Sequence, residues 1–140
     1  MPIFCEIVSQ DRIVFQGDVD IVVVPGSEGV MGILPNHSPL LSTLQYGIIT
    51  VRNHNQEEFF TVAGGVVEVT GSRVTILANA AENVEEINIQ RAEAARQRAE
   101  GMLKEAVAGK EEDQAALQMA LKRSNLRIAA VQRFRQRRTR

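Results

Sequence analysis

The chain has 140 residues, of which 44% are hydrophobic and 24% are charged, and its formal net charge is −1. This length allows one ordinary domain or two small ones, and the hydrophobic content is enough for a real core, which argues against global disorder. Cys5 is the single cysteine, which excludes a disulfide framework and a multi-cysteine metal site; we expect it to be a small core residue in a first strand.

The small net charge conceals two parts of opposite sign. Residues 1–87 contain three basic residues against eleven acidic ones, whereas residues 88–140 contain thirteen basic against six acidic. Such a division indicates two units that have different partners or attract each other. No secretory signal pattern follows Met1, and the apolar run Ile21–Val24 is too short to cross a bilayer. We therefore expect any membrane association to be peripheral, and the chain to be cytoplasmic or matrix-like.

Short strands separated by turns are predicted for residues 1–87, where all four prolines and eight of the ten glycines lie. Every second residue of a strand faces the same side of a sheet. Three rows of this kind could face a core, namely Val19, Ile21 and Val23; Val67 and Val69; and Val74, Ile76 and Ala78. The predicted breaks are Ser9–Arg12, Gly17, Pro25–Gly32, Asn53–Gln56, Ala63–Gly65 and Thr70–Ser72. Their spacing of roughly 8–12 residues, without a crossover helix, predicts an all-β antiparallel sandwich or barrel and not a parallel α/β sheet.

Two helices are predicted from Asn88 onwards, because Ala, Glu, Gln, Arg and Lys dominate there and proline is absent. We expect Asn88 to cap the first helix, Gly109 to end it and Asp113 to cap the second. The predicted buried stripes are Ala92, Ala95, Ala99, Met102, Leu103 and Ala106, then Leu117, Leu121, Ser124, Ile128 and Val131. Two helices joined by a short loop form an antiparallel hairpin. The predicted units are therefore a β unit of residues 1–87 and a helical hairpin of residues 88–140.

The predicted seam between the helices is rich in alanine. A buried methyl group contributes about 0.8 kcal/mol, against about 1.5–3 kcal/mol for a buried Leu or Ile side chain, so this seam holds the helices weakly. Gly101 in the first helix adds a further cost of about 1 kcal/mol relative to alanine. Two interpretations follow: a short, marginal hairpin, or a hairpin built to detach or extend.

Signatures of catalysis are missing from the sequence. It contains two histidines, His37 and His54, and no G-x-S-x-G, H-E-x-x-H, C-x-x-C or Walker-type loop. The glycines of residues 26–32 are regularly spaced, but Pro35 follows too soon for a dinucleotide-binding helix. We expect these glycines to shape an exposed loop, with His37 at the surface. The sequence therefore argues against an enzyme.

Four arginines of the helical part have spacings that suggest a shared site: Arg91, Arg98, Arg123 and Arg127. The first two are seven residues apart, about 10.5 Å along one helix face, and the last two are four apart. If the chain turns near residues 110–111, the two pairs lie at similar levels. Like charges crowd favourably only around an anion that accepts bidentate hydrogen bonds. The alternatives are four independently solvated arginines or a phosphate site, with a nucleotide as the candidate ligand.

The C-terminal tail is strongly basic. Residues 122–140 contain eight basic residues and no acidic one, and five of the eight lie in residues 133–140. Part of this charge complements a helix C-terminus. The tail could also contact nucleic acid or an acidic protein surface. Phe134 is its only aromatic residue, which weakens the case for base stacking.

The segment Gly26–Leu41, with the sequence GSEGVMGILPNHSPLL, resembles the signature loop of F-type ATP synthase epsilon subunits, GxxGxxGILPxHxPLL, which a glycine follows at the position of Gly47. The segments Gly64–Val69 and Val74–Ala78 are also similar to the family, and the resemblance extends over essentially the whole chain. It implies an all-β sandwich of about ten strands in two sheets, followed by an α-helical antiparallel hairpin. It also implies a non-catalytic rotor subunit of the central stalk.

Partners follow from the same resemblance. In this family the sandwich docks on the gamma subunit and the c-ring, and the candidate rotor contacts are Glu28, Gly29, Val30, Met31 and His37. The hairpin is the regulatory part, which rests beside the sandwich when folded and blocks ATP hydrolysis when it extends into the alpha/beta hexamer. The implied location is peripheral, on the cytoplasmic face of the bacterial plasma membrane or the stromal face of a plastid thylakoid. The complex couples proton transport to ATP synthesis.

Several bacterial members of the family bind ATP on the folded hairpin through an I/L-D-x-x-R-A motif and later arginines. The candidate ATP-binding residues here are Ile87, Asn88, Arg91, Ala92, Arg98, Arg123 and Arg127. Asn88 stands where the motif has aspartate, which preserves N-capping but removes a carboxylate. No cofactor, metal or nucleic acid is expected to be required, and ATP is a candidate regulatory ligand. The alternative class is a stand-alone nucleotide-sensing or nucleic-acid-binding module that uses the basic helices.

Overall fold

The computed structural model describes residues 2–10, 12–105 and 111–138. The chain forms two compact units, Met1–Val84 and Glu85–Arg140, which divide three residues before the predicted boundary. The strands of the first unit are β1 (Ile3–Ser9), β2 (Arg12–Val19), β3 (Ile21–Gly26), β4 (Gly29–Ile33), β5 (Leu40–Asn53), β6 (Gln56–Thr70), β7 (Arg73–Ala78) and β8 (Ala81–Asn83). A 3₁₀ turn, Val84–Glu86, precedes helices α1 (Ile89–Glu105) and α2 (Glu111–Arg138).

The strands form one hydrogen-bonded sheet in the order β2-β1-β7-β6-β5-β3-β4, with β8 paired to β6. Strands β5 and β6 pair from Leu40↔Val69 to Asn53↔Gln56, with Gln45 and Gly64 left unpaired between. Strand β7 pairs with the second half of β6, whereas β8 pairs with the first half. The two long strands therefore belong to both halves of the sheet.

The two halves face each other across a single hydrophobic core. Core residues come from every strand from β1 to β7 and form one buried cluster. Phe15 of β2 packs edge-on against Phe60 of β6, with ring centroids 5.6 Å apart. These two rings belong to opposite halves of the sheet, so the sheet folds over itself as a sandwich. The predicted fold class of the first unit is confirmed.

The number and direction of the strands differ from the prediction. The structure has eight strands and not ten, because β5 and β6 continue from one layer into the other, so each layer contains five strand segments. The sandwich is also not wholly antiparallel. Strand β1 lies between β2 and β7 and runs parallel to β7, from Phe4↔Arg73 to Ser9↔Ala78.

Two of the three predicted alternating rows are confirmed. Val67 and Val69 are buried, as are the three residues of the β7 row. The row of Val19, Ile21 and Val23 is wrong because the chain turns at Asp20, and the inward residues of β3 are instead Val22 and Val24. At this turn the Asp20 amide donates to the Arg52 carbonyl oxygen (2.8 Å), and the Asp20 carboxylate accepts from the His54 amide (2.6 Å).

Some glycines lie inside strands and not in turns, at points where two backbones come close together. Gly17 lies within β2, opposite Cys5, and Ala63–Gly65 lies within β6, so neither predicted break ends a strand. Gly65 has φ +143°, and a Cβ added there would lie 2.3 Å from the Leu77 carbonyl oxygen. Within Pro25–Gly32 the turn is confined to two residues, since β3 ends at Gly26 and β4 begins at Gly29.

Helices α1 and α2 pack against each other in the second unit, which confirms the helical hairpin. The Asn88 side-chain Oδ1 accepts a hydrogen bond from the Arg91 amide (3.1 Å), which confirms the N-cap. Met102 is exposed and not buried, because it lies about 80° around the helix from Ala92. Helix α2 begins at Glu111, so Asp113 is not its cap.

The remaining seam residues follow the predicted stripes. Ala92, Ala99, Ser124, Ile128 and Val131 are buried. Half-buried residues flank them, namely Ala95, Leu103, Leu117 and Leu121. Ala106, Gly109 and residue 110 of the predicted turn lie outside the described residues. Glu111, the other residue of that turn, begins α2. Among the residues that the structure describes, no helix is long and apolar enough to span a membrane.

Candidate functional site

The β3–β4 turn is tied to strand β5 by three hydrogen bonds. Ser27 and Glu28 form the turn between the paired Gly26 and Gly29. The Ser27 amide donates to the Thr43 carbonyl oxygen (3.0 Å), and the two hydroxyl groups of these residues are hydrogen-bonded to each other. The Gln45 side-chain amide donates to the Ser27 carbonyl oxygen (2.6 Å). The turn is therefore held at the point where β5 passes between the layers.

The predicted rotor contacts differ in exposure. Glu28 and Gly29 are exposed, and Val30 is 76% exposed. Met31 is half-buried and packs on the core, because alternate residues of β4 point inward. His37 is also half-buried, and its Nδ1 donates to the Ser38 carbonyl oxygen (2.7 Å). Of the five residues, the three at the turn are therefore the most accessible.

Gly47 permits strand β3 to cross close to β5. A Cβ at Gly47 would lie 2.6 Å from the Pro25 Cβ, closer than two carbon atoms approach without a shift of the backbone. Pro25 pairs with Val30 of β4. The glycine that follows the signature loop thus allows the close packing that positions the β3–β4 turn.

An apolar row crosses the outer face of the layer that contains β1. Residues paired across a sheet point to the same side, and the register links Ile13 to Val8, Val8 to Leu77, and Leu77 to Val66. Ile13 and Leu77 are each 56% exposed, and the other two are half-buried. Leu41, on the same face, is 69% exposed. We call these five residues the outer row.

The sequence prediction missed the outer row. Its members stand in five different strands, and their shared position depends on the register between them. A signal was nevertheless present in Leu77, which alternates with the buried Ile76 and Ala78. A leucine on the outward side of a two-layer sheet indicates a contact surface when other apolar residues adjoin it.

The four predicted arginines lie on one flank of the helical hairpin. Each directly precedes a buried residue of the seam: Ala92, Ala99, Ser124 or Ile128. In an antiparallel pair of helices, the positions before the seam residues lie on the same side of both helices. We call Arg91, Arg98, Arg123 and Arg127 the arginine flank. Three of these side chains are exposed, and that of Arg127 is half-buried.

The other candidate ATP-binding residues surround the start of α1. Asn88 is exposed, and its side-chain oxygen is engaged in the N-cap. Ile87 is half-buried, and Ala92 is buried in the seam. The Ala92 amide donates to the Asn88 carbonyl oxygen (3.1 Å), the first hydrogen bond of the helix. The structure therefore orients Arg91 by fixing the first turn of α1.

Within the described residues, neither the Cys5 thiol nor any cluster of metal-ligating side chains provides a reactive centre. Burial, and secondarily the nearby Glu6 carboxylate, raises the pKa of Cys5 from 9.0 to about 12, so its thiol stays protonated and unreactive. No group of three or more His, Cys, Asp and Glu side chains in residues 2–10, 12–105 and 111–138 could hold a metal ion. The features that remain are binding surfaces.

Two family models match the chain. The model described as "ATP synthase, Delta/Epsilon chain, beta-sandwich domain" matches residues 2–84, and that described as "ATP synthase, Delta/Epsilon chain, long alpha-helix domain" matches residues 85–132. The boundary between the two matches coincides with the boundary between the compact units. The two matches together extend over nearly all of the sequence.

Curated relatives match along the full chain as well. The sequence is 41% identical over 138 residues to the ATP synthase epsilon chain of Herpetosiphon aurantiacus, covering 97% of this chain and 100% of that one. It is 39% identical over 127 residues to the ATP synthase epsilon chain of Desulforamulus reducens, covering 91% and 95%.

A solved structure shares the fold. A chain in the cryo-EM structure of the Euglena gracilis mitochondrial ATP synthase, with OSCP, F1 and the c-ring, aligns with a TM-score of 0.74. The alignment covers 86% of this chain and 76% of that one, at 23% sequence identity.

Proposed function

Since the chain belongs to the delta/epsilon family of ATP synthase subunits, we propose that it is a non-catalytic rotor part of the central stalk that couples proton transport to ATP synthesis. The observation that carries this proposal is the match of both units, in order, to the two domains of the family. The subunit would be held peripherally at the membrane through its partners, on the cytoplasmic face in a bacterium.

The outer row is the proposed docking surface for the gamma subunit. It combines exposed aliphatic side chains with the carboxylates of Glu6 and Glu68, which lie in the neighbouring outward positions of β1 and β6. Aliphatic residues at the centre of a contact supply binding energy, and the charges around them select a basic partner surface. Replacement of Leu77 by Asp should therefore weaken association with gamma without disturbing the core, since Leu77 points outward.

The β3–β4 turn is the proposed contact with the c-ring. Val30 offers an exposed apolar side chain, and Glu28 offers a carboxylate next to it. The hydrogen bonds from Ser27 to Thr43 hold this turn in place without the partner. A preformed contact loses less conformational entropy on binding than a flexible one.

The hairpin of α1 and α2 is the proposed regulatory part, which inhibits ATP hydrolysis when it extends into the alpha/beta hexamer. Four of the six fully buried side chains in the described part of the hairpin are small, namely Ala92, Ala99, Ser124 and Ala130, and the other two are Ile128 and Val131. Small side chains bury little apolar area, so the free energy that holds the two helices together is small. An element of low local stability is suited to a switch.

Deletion of residues 88–140 tests the regulatory role. The complex with the truncated chain should hydrolyse ATP faster than the complex with the full chain, while gamma still co-purifies in stoichiometric amount. An unchanged rate of hydrolysis would remove the inhibitory role and leave the coupling role intact.

The arginine flank is the proposed site for ATP as a regulatory ligand. Guanidinium groups bind phosphate oxygens through paired charge-assisted hydrogen bonds. Isothermal titration of the full chain with ATP should show weaker binding for Arg98→Ala and Arg123→Ala than for the native chain. Arg133→Ala, which removes an exposed arginine of α2 outside the flank, is the control. Equal affinity in all four proteins would eliminate the flank as the site.

A further inference from the structure

Arg96 lies on the buried face of α1. It is about 40° around the helix axis from Ala92 and about 60° from Ala99, and these two alanines are 3% and 4% exposed. The Arg96 side chain is half-buried. Its Nε atom is buried and has no hydrogen-bond partner among the residues that the structure describes. A strong donor is therefore unsatisfied on the face of α1 that carries the seam alanines.

Arg96 is separate from the arginine flank. Arg91 and Arg98 lie about 100° and 120° from Ala92 in the opposite rotational direction from Arg96. Both are exposed, whereas Arg96 is half-buried. An anion bound on the flank would thus meet the exposed guanidinium groups and not the buried Nε of Arg96.

A buried donor without an acceptor favours any state in which water reaches it. In water the Nε–H group is hydrogen-bonded, and burial removes that bond without replacing it. A penalty of this kind shifts an equilibrium by about 5-fold to 100-fold toward the solvated form. The surrounding alanines provide little apolar burial to offset the shift. Separation of α1 from its packed position would restore water to this atom.

We propose that Arg96 is a built-in destabiliser of the packed hairpin: its buried Nε–H group raises the fraction of molecules in which α1 is detached. This concerns the packing of the helices, and its regulatory consequence rests on the proposed extension of the hairpin. Arg96 thereby sets how readily the hairpin opens, independently of whether the arginine flank holds a ligand.

Arg96→Lys in the full chain tests the role of the Nε–H group. Lysine keeps the positive charge at the end of the side chain but has a methylene group where arginine has Nε. Arg96→Met removes both the charge and the donor. The control is Arg133→Met, which removes the same charge from an exposed position of α2. Native-state hydrogen exchange is measured on all four proteins.

The expected result is that amide exchange in α1 and α2 slows about 5-fold to 100-fold in both Arg96 variants. Exchange in β1–β8 should stay unchanged, and the Arg133 variant should match the native chain. Native or faster exchange in Arg96→Lys would overturn the proposal. Slower exchange in Arg96→Met alone would also overturn it, because the charge and not the Nε–H group would then be responsible.

The ATPase rate of the assembled complex separates this inference from the proposed regulation. If the packed hairpin permits hydrolysis, Arg96→Lys should raise the rate along with its slower hairpin exchange. Slower exchange with an unchanged ATPase rate would support the role of Arg96 in packing and contradict the regulatory role of the hairpin.

Discussion

Gly65 and Gly29 make nearly the same demand on the backbone but differ in the space around them. Their φ angles are +143° and +139°. A Cβ at Gly65 would lie 2.3 Å from the Leu77 carbonyl oxygen, whereas a Cβ at Gly29 would meet no atom within 4 Å. A side chain at Gly29 would therefore cause backbone strain alone, whereas a side chain at Gly65 would cause the same strain and a steric clash.

Gly65→Ala is expected to destabilise the chain more than Gly29→Ala. Both variants introduce backbone strain of about 1–3 kcal/mol. Only the first also forces apart β6 and β7, which adds about 1–3 kcal/mol, as for other overpacked sites. Urea denaturation of both variants gives the difference. Equal losses of unfolding free energy would show that β7 moves aside without cost.

Cys5 makes stability depend on pH in the alkaline range. Burial raises its pKa to about 12 from a usual value of 9.0, so the folded state holds the thiol proton more tightly than the unfolded state does. The contribution is complete below pH 9 and is lost as pH rises toward 12, at most about 1.4 kcal/mol per pH unit. We expect Cys5→Ala to flatten this part of the profile, measured as the unfolding free energy against pH. Parallel profiles would contradict the shift.

At the scale of single elements, the start of α1 could be predicted because its cause is local. Asn88 lies directly before the helix, and its bond to the Arg91 amide spans three residues. The turn at Asp20 could not be predicted in this way. It contains neither glycine nor proline, and its hydrogen bonds reach Arg52 and His54, more than thirty residues along the chain.

Loss of the cap should weaken α1 specifically. Asn88→Ala removes the acceptor of the Arg91 amide, at a cost of about 0.5–2 kcal/mol. We expect faster hydrogen exchange in the first turns of α1 and unchanged exchange in β1–β8. Asn88→Asp keeps a capping oxygen and serves as the control, which should exchange no faster than the native chain. Faster exchange in both variants would point to a role of the amide group beyond capping.

The long strands explain where the prediction of the sheet failed. A glycine pair in a β segment resembles a turn, and Gly64 and Gly65 both have positive φ angles. The structure uses them to bend β6 while its pairing with β5 continues on both sides. The alternation of Val67 and Val69 could be predicted, because it needs only a straight segment with one buried face.

At the scale of the whole molecule, the candidate site was predicted only in part. The arginine flank follows from residue spacing within helices, which is a local property. The outer row and Arg96 could not be found in this way. The first depends on the register of five strands, and the second on the burial of a residue type that is usually solvated.

The hydrophobic core predicts that the first unit folds alone. All residues of the buried cluster lie between Ile3 and Ala78. A chain of residues 1–87 should therefore unfold in one cooperative urea transition and retain dispersed amide resonances. Loss of cooperativity would show that the first unit depends on α1 and α2 for its stability. The full chain under the same conditions is the reference.

The passage of β5 through both layers has a mechanical consequence. A part that rotates with a shaft must transmit torque without internal slip, and side-chain contacts between layers can slide under load. Here the two layers share the covalent backbone of β5 and β6. The β3–β4 turn is fastened to β5 at Thr43 and Gln45, beside the bend between the layers. A tangential force on this turn would therefore pass into the backbone that joins the layers, and not only into side-chain contacts between them.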